Sequence, residues 1–273
     1  MTAKVWVNGQ VLDPDDALVP ALDHGMTVGD GVFETMRTVA GVPFALDRHI
    51  DRLHRSAMGL GLCLPDRALL ERAVREVIAA SGFDECRVRL TITAGAGPLG
   101  SGRIDGDCTI VAATAELDVP SEVTDVITVP WVRNERSPLA GLKTTSYADN
   151  VVALARAHEH GASEAIFANT RDELCEGTGT NVFVVLDGRL RTPPLSSGCL
   201  GGITRQLVLE CTDAVEEAMP YDVLFRAEEL FLTSTIRQVQ AVAHVDDHAL
   251  PAAPGPVTSA ARAAFLAHAA DVT

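Results

Sequence analysis

From Cys86 to Thr93 the chain alternates without a break. Cys86, Val88, Leu90 and Ile92 fall on one side; Arg87, Arg89, Thr91 and Thr93 fall on the other. Successive side chains of a strand point to opposite faces, so this stretch is a β-strand with one apolar and one polar face. The apolar face must be covered by another layer. Two helical patterns upstream supply it. Residues Leu46 to Met58 place Ile50, Leu53, Ala57 and Met58 on one face, with Asp47 as the expected N-cap and Asp51 near the first turn. Asp66 to Ala80 is a second helix, capped by Asp66 and stopped near Gly82. The polar face has two readings: an ordinary solvated face, or the lining of an anion-binding cavity in which an arginine meets a carboxylate.

The rest of the chain falls into place around this unit. Val5 to Leu12 reads as a hairpin on Asn8-Gly9. Asp23 to Arg37 is a glycine-rich turn running into a strand, Ala94 to Gly106 a glycine-rich loop, and Cys108 to Ala115 the returning strand. Glu116 to Glu122 looks like a linker, and a new strand pattern begins at Asp125. The expected division is therefore a domain over 1–118, a linker over 119–123 and a second domain over 124–273. In the second, helices are expected over Ala148–His160, Ile203–Ala218 and Thr258–Ala270. Strands are expected over Ala165–Ala168, Asn181–Leu186, Arg189–Thr192, Glu229–Thr235 and Gln238–Val245, with an Asp187-Gly188 hairpin turn. Mixed strands and helices in both halves make an α/β (α+β) chain.

Composition removes several function classes. With 47 % hydrophobic residues, the 273-residue chain has the material for a sizeable core. A net charge of −15 argues against nucleic acid or an anionic membrane as partner, while leaving room for a local phosphate site. The six cysteines form no CxxC pair, so they read as reduced thiols of a cytoplasmic protein, with no metal site expected. The N-terminal residues are polar too soon for a signal peptide, and no apolar run reaches the roughly 18 residues of a membrane span.

Four stretches carry candidate chemistry. Lys143 lies in Gly141-Leu142-Lys143-Thr144-Thr145-Ser146, among small and hydroxylated neighbours with no acid before Asp149. Such surroundings permit a nucleophilic amine, which works in its neutral form. Leu200-Gly201-Gly202-Ile203-Thr204-Arg205 is a glycine turn opening a helix, whose N-terminal amides suit a phosphate. Thr233-Ser234-Thr235 adds hydroxyls. Glu176 stands beside Gly177-Thr178-Gly179, where a strand begins.

In their order, Gly29-Asp30-Gly31-Val32-Phe33-Glu34, Asp51-Arg52-Leu53, Lys143, Glu176 with Asn181-Val182-Phe183, Leu200 to Arg205 and Thr233 to Thr235 resemble the class IV (fold type IV) pyridoxal phosphate aminotransferases. The resemblance runs from about residue 5 to residue 250. It implies a small N-terminal α/β domain, a larger β-barrel-like C-terminal domain, a pyridoxal 5′-phosphate cofactor and a homodimer. It assigns the Schiff-base lysine to Lys143 and the partner of the pyridine nitrogen to Glu176. Arg52, Ile203, Thr204, Ser234 and Thr235 become phosphate binders, and Leu200 the residue beneath the ring. Tyr147 stands near the ring-hydroxyl tyrosine of branched-chain members, one residue closer to the lysine.

Within the family, Thr35 stands where branched-chain enzymes usually carry a glycine after the glutamate, and Gly29-Asp30-Gly31 looks like the D-amino acid transaminases and the lyases. The reading favoured is a D-amino acid transaminase passing an amino group to a 2-oxo acid such as 2-oxoglutarate or pyruvate. Val28 stands where D-amino acid enzymes carry a substrate-binding tyrosine, and their Arg/His pair is not evident. Val28 and Phe33 are then expected to line the substrate site, with Arg87 or Arg89 holding its carboxylate. The loop Gly95 to Gly100 resembles that of lyase-like members. A 4-amino-4-deoxychorismate lyase is therefore the alternative, ahead of a branched-chain aminotransferase or an (R)-amine transaminase.

Overall fold

The computed structural model describes residues 1–104, 106–270 and 272. Asp105, Asp271 and Thr273, which fall in the expected glycine-rich loop and second domain, lie outside the described residues. The chain forms two compact units. One is built from Met1–Asp118 and Leu142–Ser146; the other from Val119–Gly141 and the described residues from Tyr147 to Ala270. The lysine segment, expected with residues 124–273, thus groups with the N-terminal unit. The reason is pairing: Val32 forms an antiparallel bridge with Thr144, and the Phe33 N–H donates to the Lys143 carbonyl at 3.0 Å.

The first unit contains β1 (Val5–Val7), β2 (Gln10–Leu12), a short helix α1 (His24–Thr27), β3 (Gly31–Val39), β4 (Val42–Pro43), α2 (Leu46–Leu60), α3 (Arg67–Ser81), β5 (Cys86–Thr93) and β6 (Thr109–Glu116). Its six strands form an antiparallel sheet in the order β2-β1-β6-β5-β3-β4. β3 and β5 pair from Gly31 opposite Thr93 to Arg37 opposite Arg87. The apolar face of β5, with Val32 and Met36 of β3, is buried together with Ile50, Leu53 and Ala57 of α2 and Leu70, Val74 and Val77 of α3. Full burial of each large side chain contributes about 1.5–3 kcal/mol.

The helix ends show which local signals held. Asp66 caps α3, its carboxylate accepting the Ala68 N–H at 3.3 Å, and Gly82 ends the helix at φ +69°. Asp47, by contrast, is not a cap. α2 starts at Leu46 behind Ala45 in the left-handed region, with no side-chain cap bond. Asp47 and Asp51 are instead drawn to Arg67, at 2.8 and 2.6 Å.

The second unit contains β7 (Val123–Arg133), α4 (Ala148–Glu159), β8 (Glu164–Asn169), β9 (Leu174–Gly177), β10 (Asn181–Leu186), β11 (Arg189–Thr192), α5 (Ile203–Cys211), β12 (Val215–Glu216), β13 (Glu229–Ser234), β14 (Gln238–Val245), β15 (His248–Ala249) and α6 (Pro256–Ala269). Its sheet runs β12-β11-β10-β13-β14-β7-β8-β9, with β15 on β14. The pairs β14–β7 and β7–β8 are parallel. A parallel neighbour needs a crossover, and α4 provides it between β7 and β8, burying Ala153 and Ala157 against Ile127, Ala165 and Phe167. Phe183 and Phe231 face each other across β10 and β13 as a stacked pair, 4.8 Å between centroids.

The helix expected to reach Ala218 stops at Cys211. The Thr212 hydroxyl donates back to the Val208 carbonyl at 2.7 Å, and Val215–Glu216 pairs with Arg191–Thr192 at the sheet edge. Sheet pairing outweighs the helical pattern there. Among the described residues no helix is long and apolar enough to cross a membrane.

Candidate active site

The candidate residues form two groups, one in each unit. In the first unit Lys143 is pinned by its backbone. Its N–H donates to Ser56 Oγ of α2 at 3.1 Å, and its carbonyl accepts from Phe33 of β3. Its side chain then lies on that aromatic residue: Nζ is 4.4 Å from the centroid of the Phe33 ring. Arg89, from the polar face of β5, brings its guanidinium carbon to 3.7 Å from the same centroid. The pairing explains this. Phe33 is opposite Thr91 and Thr35 is opposite Arg89, so Arg89 and Phe33 are diagonal neighbours on one sheet face. One buried ring therefore carries both an amine and a guanidinium, each attracted to its π-face. Arg87 is exposed farther along the strand, opposite Arg37. Val28 closes α1 and is 40 % exposed.

On the opposite face of β3 lies a charge cluster. Glu34 is fully buried and accepts from Arg52 Nε (2.7 Å) and Nη2 (2.6 Å) and from His49 Nδ1 (2.7 Å). Burial pushes the Glu34 carboxyl upward, but Arg52 and then His49 outweigh it and hold it at about 2. His49 is pushed below its ordinary value, by burial first and then, against the pull of Glu34, by the charges of Arg52 and Lys143. Arg52 is thus already committed through two nitrogens to Glu34. Sequence reasoning quoted Glu34 only as part of a motif and did not single out His49. The available signal was a carboxylate at a core-facing position, between Val32 and Met36.

In the second unit, Glu176 of β9 accepts the Leu200 N–H at 2.9 Å, and its other oxygen lies 3.2 Å from Arg133 Nε, an ion pair too misaligned for a hydrogen bond. Arg133 was missed entirely. It ends β7, stacks its guanidinium 4.1 Å over the Phe167 ring, and Phe167 is the register partner of Glu176. Burial first, and then the Glu176 charge, raises the two neighbouring thiols, Cys175 strongly and Cys199 to about 11, so both stay protonated.

Leu200 is held from both sides: its carbonyl accepts Asn181 Nδ2 at 2.7 Å. Gly202 then opens α5, a helix start with no side-chain cap, and a Cβ on Gly202 would collide with Asn181 Oδ1. Ile203 and Thr204 form the first turn, both buried. Ser234 Oγ accepts the Arg237 N–H at 3.0 Å, and Thr235 follows the end of β13. Tyr147 is the N-cap residue of α4 and is half-buried.

A phosphate-bearing cofactor can be tested against this second group. Thr204 Oγ1 and Thr233 Oγ1 are buried with no hydrogen-bond partner among the described residues. A buried hydroxyl without a partner costs about 1–3 kcal/mol. Orphan donors on the first turn of an uncapped helix and on the adjoining strand are what an acceptor-rich anion would satisfy. The residues fit such a group. Among the described residues no cluster of His, Cys, Asp and Glu is arranged to hold a metal.

Comparison with known proteins agrees with this chemistry. The family model for amino-transferase class IV matches residues 31–245. A putative branched-chain-amino-acid aminotransferase of Methanocaldococcus jannaschii is 35 % identical over 89 % of this chain and 88 % of its own length. D-alanine aminotransferase of Bacillus licheniformis is 31 % identical over 93 % of each. The solved branched-chain aminotransferase of the thermophilic archaeon Thermoproteus uzoniensis, with norvaline, superposes with a TM-score of 0.90 at 29 % identity, covering 96 % of this chain and 93 % of that one. The chain belongs to the class IV aminotransferases, which depend on pyridoxal 5′-phosphate.

Proposed function

We propose that the protein is an amino-acid transaminase that moves an amino group to a 2-oxo acid, with a D-amino acid as its preferred donor. One observation carries the amino-acid reading: Lys143 Nζ and the Arg89 guanidinium share the Phe33 ring. A covalently acting amine and a cation for the α-carboxylate are the two anchors an amino acid needs. Bound pyridoxal phosphate supplies the electron sink that stabilises negative charge on the donor carbon. Lys143 Nζ would bind the cofactor covalently and would move the proton of that carbon. Glu176 holds a proton on the ring nitrogen. Thr204, Ile203, Ser234, Thr235 and Arg52 would hold the phosphate, and Leu200 would pack against the ring.

The D-amino acid reading is supported by Gly29-Asp30-Gly31, by Thr35, which stands opposite Arg89 at the position where the resemblance gives branched-chain enzymes a glycine, and by the 31 % identity to a D-alanine aminotransferase. An L-branched-chain donor is the second reading, favoured by the 35 % identity to the archaeal relative. The six free cysteines suit the cytoplasm. The reading includes a homodimer, in which a second copy would cover exposed apolar side chains such as Leu18, Met26 and Leu99.

The deciding experiment mixes the cofactor-loaded protein separately with D-alanine, L-leucine and (R)-1-phenylethylamine and assays formation of the oxo product. Product from D-alanine supports the reading. Product from L-leucine alone replaces it with the branched-chain one, and product from the amine alone removes Arg89 from the account. Arg89→Ala is expected to raise KM for amino acids far more than for amines without a carboxylate.

A further inference from the structure

We infer that Asp30 and Arg103 form a positioning pair for Lys143, cross-linking the two supports on which the lysine segment rests. This rests on the reading of Lys143 as the reacting amine. Asp30 sits in the Gly29–Gly31 turn before β3, and Arg103 in the glycine-rich loop between β5 and β6. They meet as a fork: Arg103 Nε donates to Asp30 Oδ2 at 2.6 Å and Nη2 to Oδ1 at 2.5 Å. The same guanidinium donates to the carbonyls of Leu60 (2.9 Å) and Gly61 (2.8 Å), the last acceptors of α2. One side chain therefore ties the 29–31 turn to the end of α2.

Those are the elements that hold Lys143. The Thr145 N–H donates to the Gly31 carbonyl at 2.8 Å, and the Thr145 and Ser146 hydroxyls donate to the Gly29 carbonyl at 2.9 and 3.1 Å. α2 contributes Ser56, whose Oγ accepts the Lys143 N–H. The turn packs closely against its neighbours, since a Cβ on Gly31 would stand 2.9 Å from the Ile92 carbonyl and 3.0 Å from Thr145 Oγ1. A shift of the turn is thus passed on to Thr145, two residues from the amine. Asp30 is held from a second side by His24, whose Nδ1 lies 3.6 Å away and whose Nε2 meets the Pro98 carbonyl at 2.9 Å. His24 and Arg103 together fasten the glycine-rich loop to the turn. The Asp30 carboxyl sits below its ordinary value chiefly because of Arg103, in keeping with the fork.

The test compares Asp30→Asn, Arg103→Met and the double variant in the full chain. Four quantities are read: the rate at which Lys143 condenses with added pyridoxal phosphate, followed by absorbance; kcat and KM for the donor; and thermal unfolding. A misplaced reacting group costs up to 10²-fold, so a loosened segment is expected to lower the condensation rate and kcat about tenfold with KM little changed. The double variant should be no worse than the poorer single one, because both remove one connection. Wild-type condensation rate and kcat in both single variants overturn the inference, as do effects that simply add in the double. If Asp30→Asn does not fold, Arg103→Met decides alone, since its side chain is 36 % exposed and lies in a loop. Borohydride fixation in the wild type separates the two levels. A label elsewhere than on Lys143 sinks the reading of that amine. A label on Lys143 in every variant, at unchanged rate, sinks only the positioning pair.

Discussion

Replacing Glu34 by glutamine keeps the shape of the side chain and removes one charge at a site with no access to water. Its carboxyl lies near 2 instead of the ordinary 4.5. At about 1.4 kcal/mol for each tenfold change in proton affinity, the ionised form is held by roughly 3–4 kcal/mol more in the fold than in the unfolded chain. The variant also leaves Arg52, only 6 % exposed, facing a neutral amide. Breaking a buried pair from one side costs about 3–5 kcal/mol. At roughly 2–4 °C per kcal/mol for a chain of this size, Glu34→Gln should melt about 10 °C lower. Glu34→Gln combined with Arg52→Met should recover part of the loss, because no lone charge remains. The assay is thermal unfolding of the cofactor-free protein at neutral pH. A loss under about 1 kcal/mol, or a double variant worse than the sum of the singles, would refute the argument.

The same cluster sets an acid limb. Glu34 is lowered, so its contribution is complete above the unfolded value of 4.5 and is lost as pH falls toward 2. His49 is also lowered, so below its unfolded value of 6.5 the unfolded chain takes up a proton that the fold refuses. Stability therefore begins to fall below about pH 6.5 and falls more steeply below about 4.5. His49→Gln should flatten the upper part of that limb and leave the lower part in place. An unchanged upper limb, read from melts across pH 4 to 7, would exclude His49 as its source.

Other outcomes follow from single contacts. Arg133→Met removes the cation beside Glu176 and should lower affinity for pyridoxal phosphate, measured by equilibrium dialysis; wild-type affinity would mean the ion pair does not serve the cofactor. Gly202→Ala drives a Cβ into Asn181 and should weaken that affinity at least about tenfold, consistent with loss of an anion site at a helix start. Asp66→Ala should cost about 1 kcal/mol through the lost cap of α3, with no effect on cofactor affinity.

What the sequence shows and what it hides divide along the range of the interactions. The alternation of Cys86 to Thr93 is a property of the strand itself, and so the strand, its buried face and its covering helices were legible. Asp187-Gly188 and Gly82 are local backbone signals, and they hold. Where a distant partner competes, the local signal yields: Arg67 takes Asp47 away from the cap, and the edge of β11 takes Val215 away from the helix. The candidate chemistry divides in the same way. Lys143, Glu176 and the glycine turn at Gly201-Gly202 stand in recognisable local settings. The cation beside Glu176 does not.

Arg133 shows why. It lies far along the chain from Glu176, at the end of a strand, with nothing around it in sequence to mark it. Two pairings bring it in. β7 runs parallel to β8, which places Arg133 opposite Asn169, and β8 runs antiparallel to β9, which places Phe167 opposite Glu176. The arginine then crosses the Phe167 ring to reach the carboxylate. A slip of one residue in either pairing would turn Glu176 or Phe167 to the other face of the sheet and separate the pair. The site's electrostatics are thus written in strand register, which is settled by the packing of the whole sheet and not by the residues next to the charge.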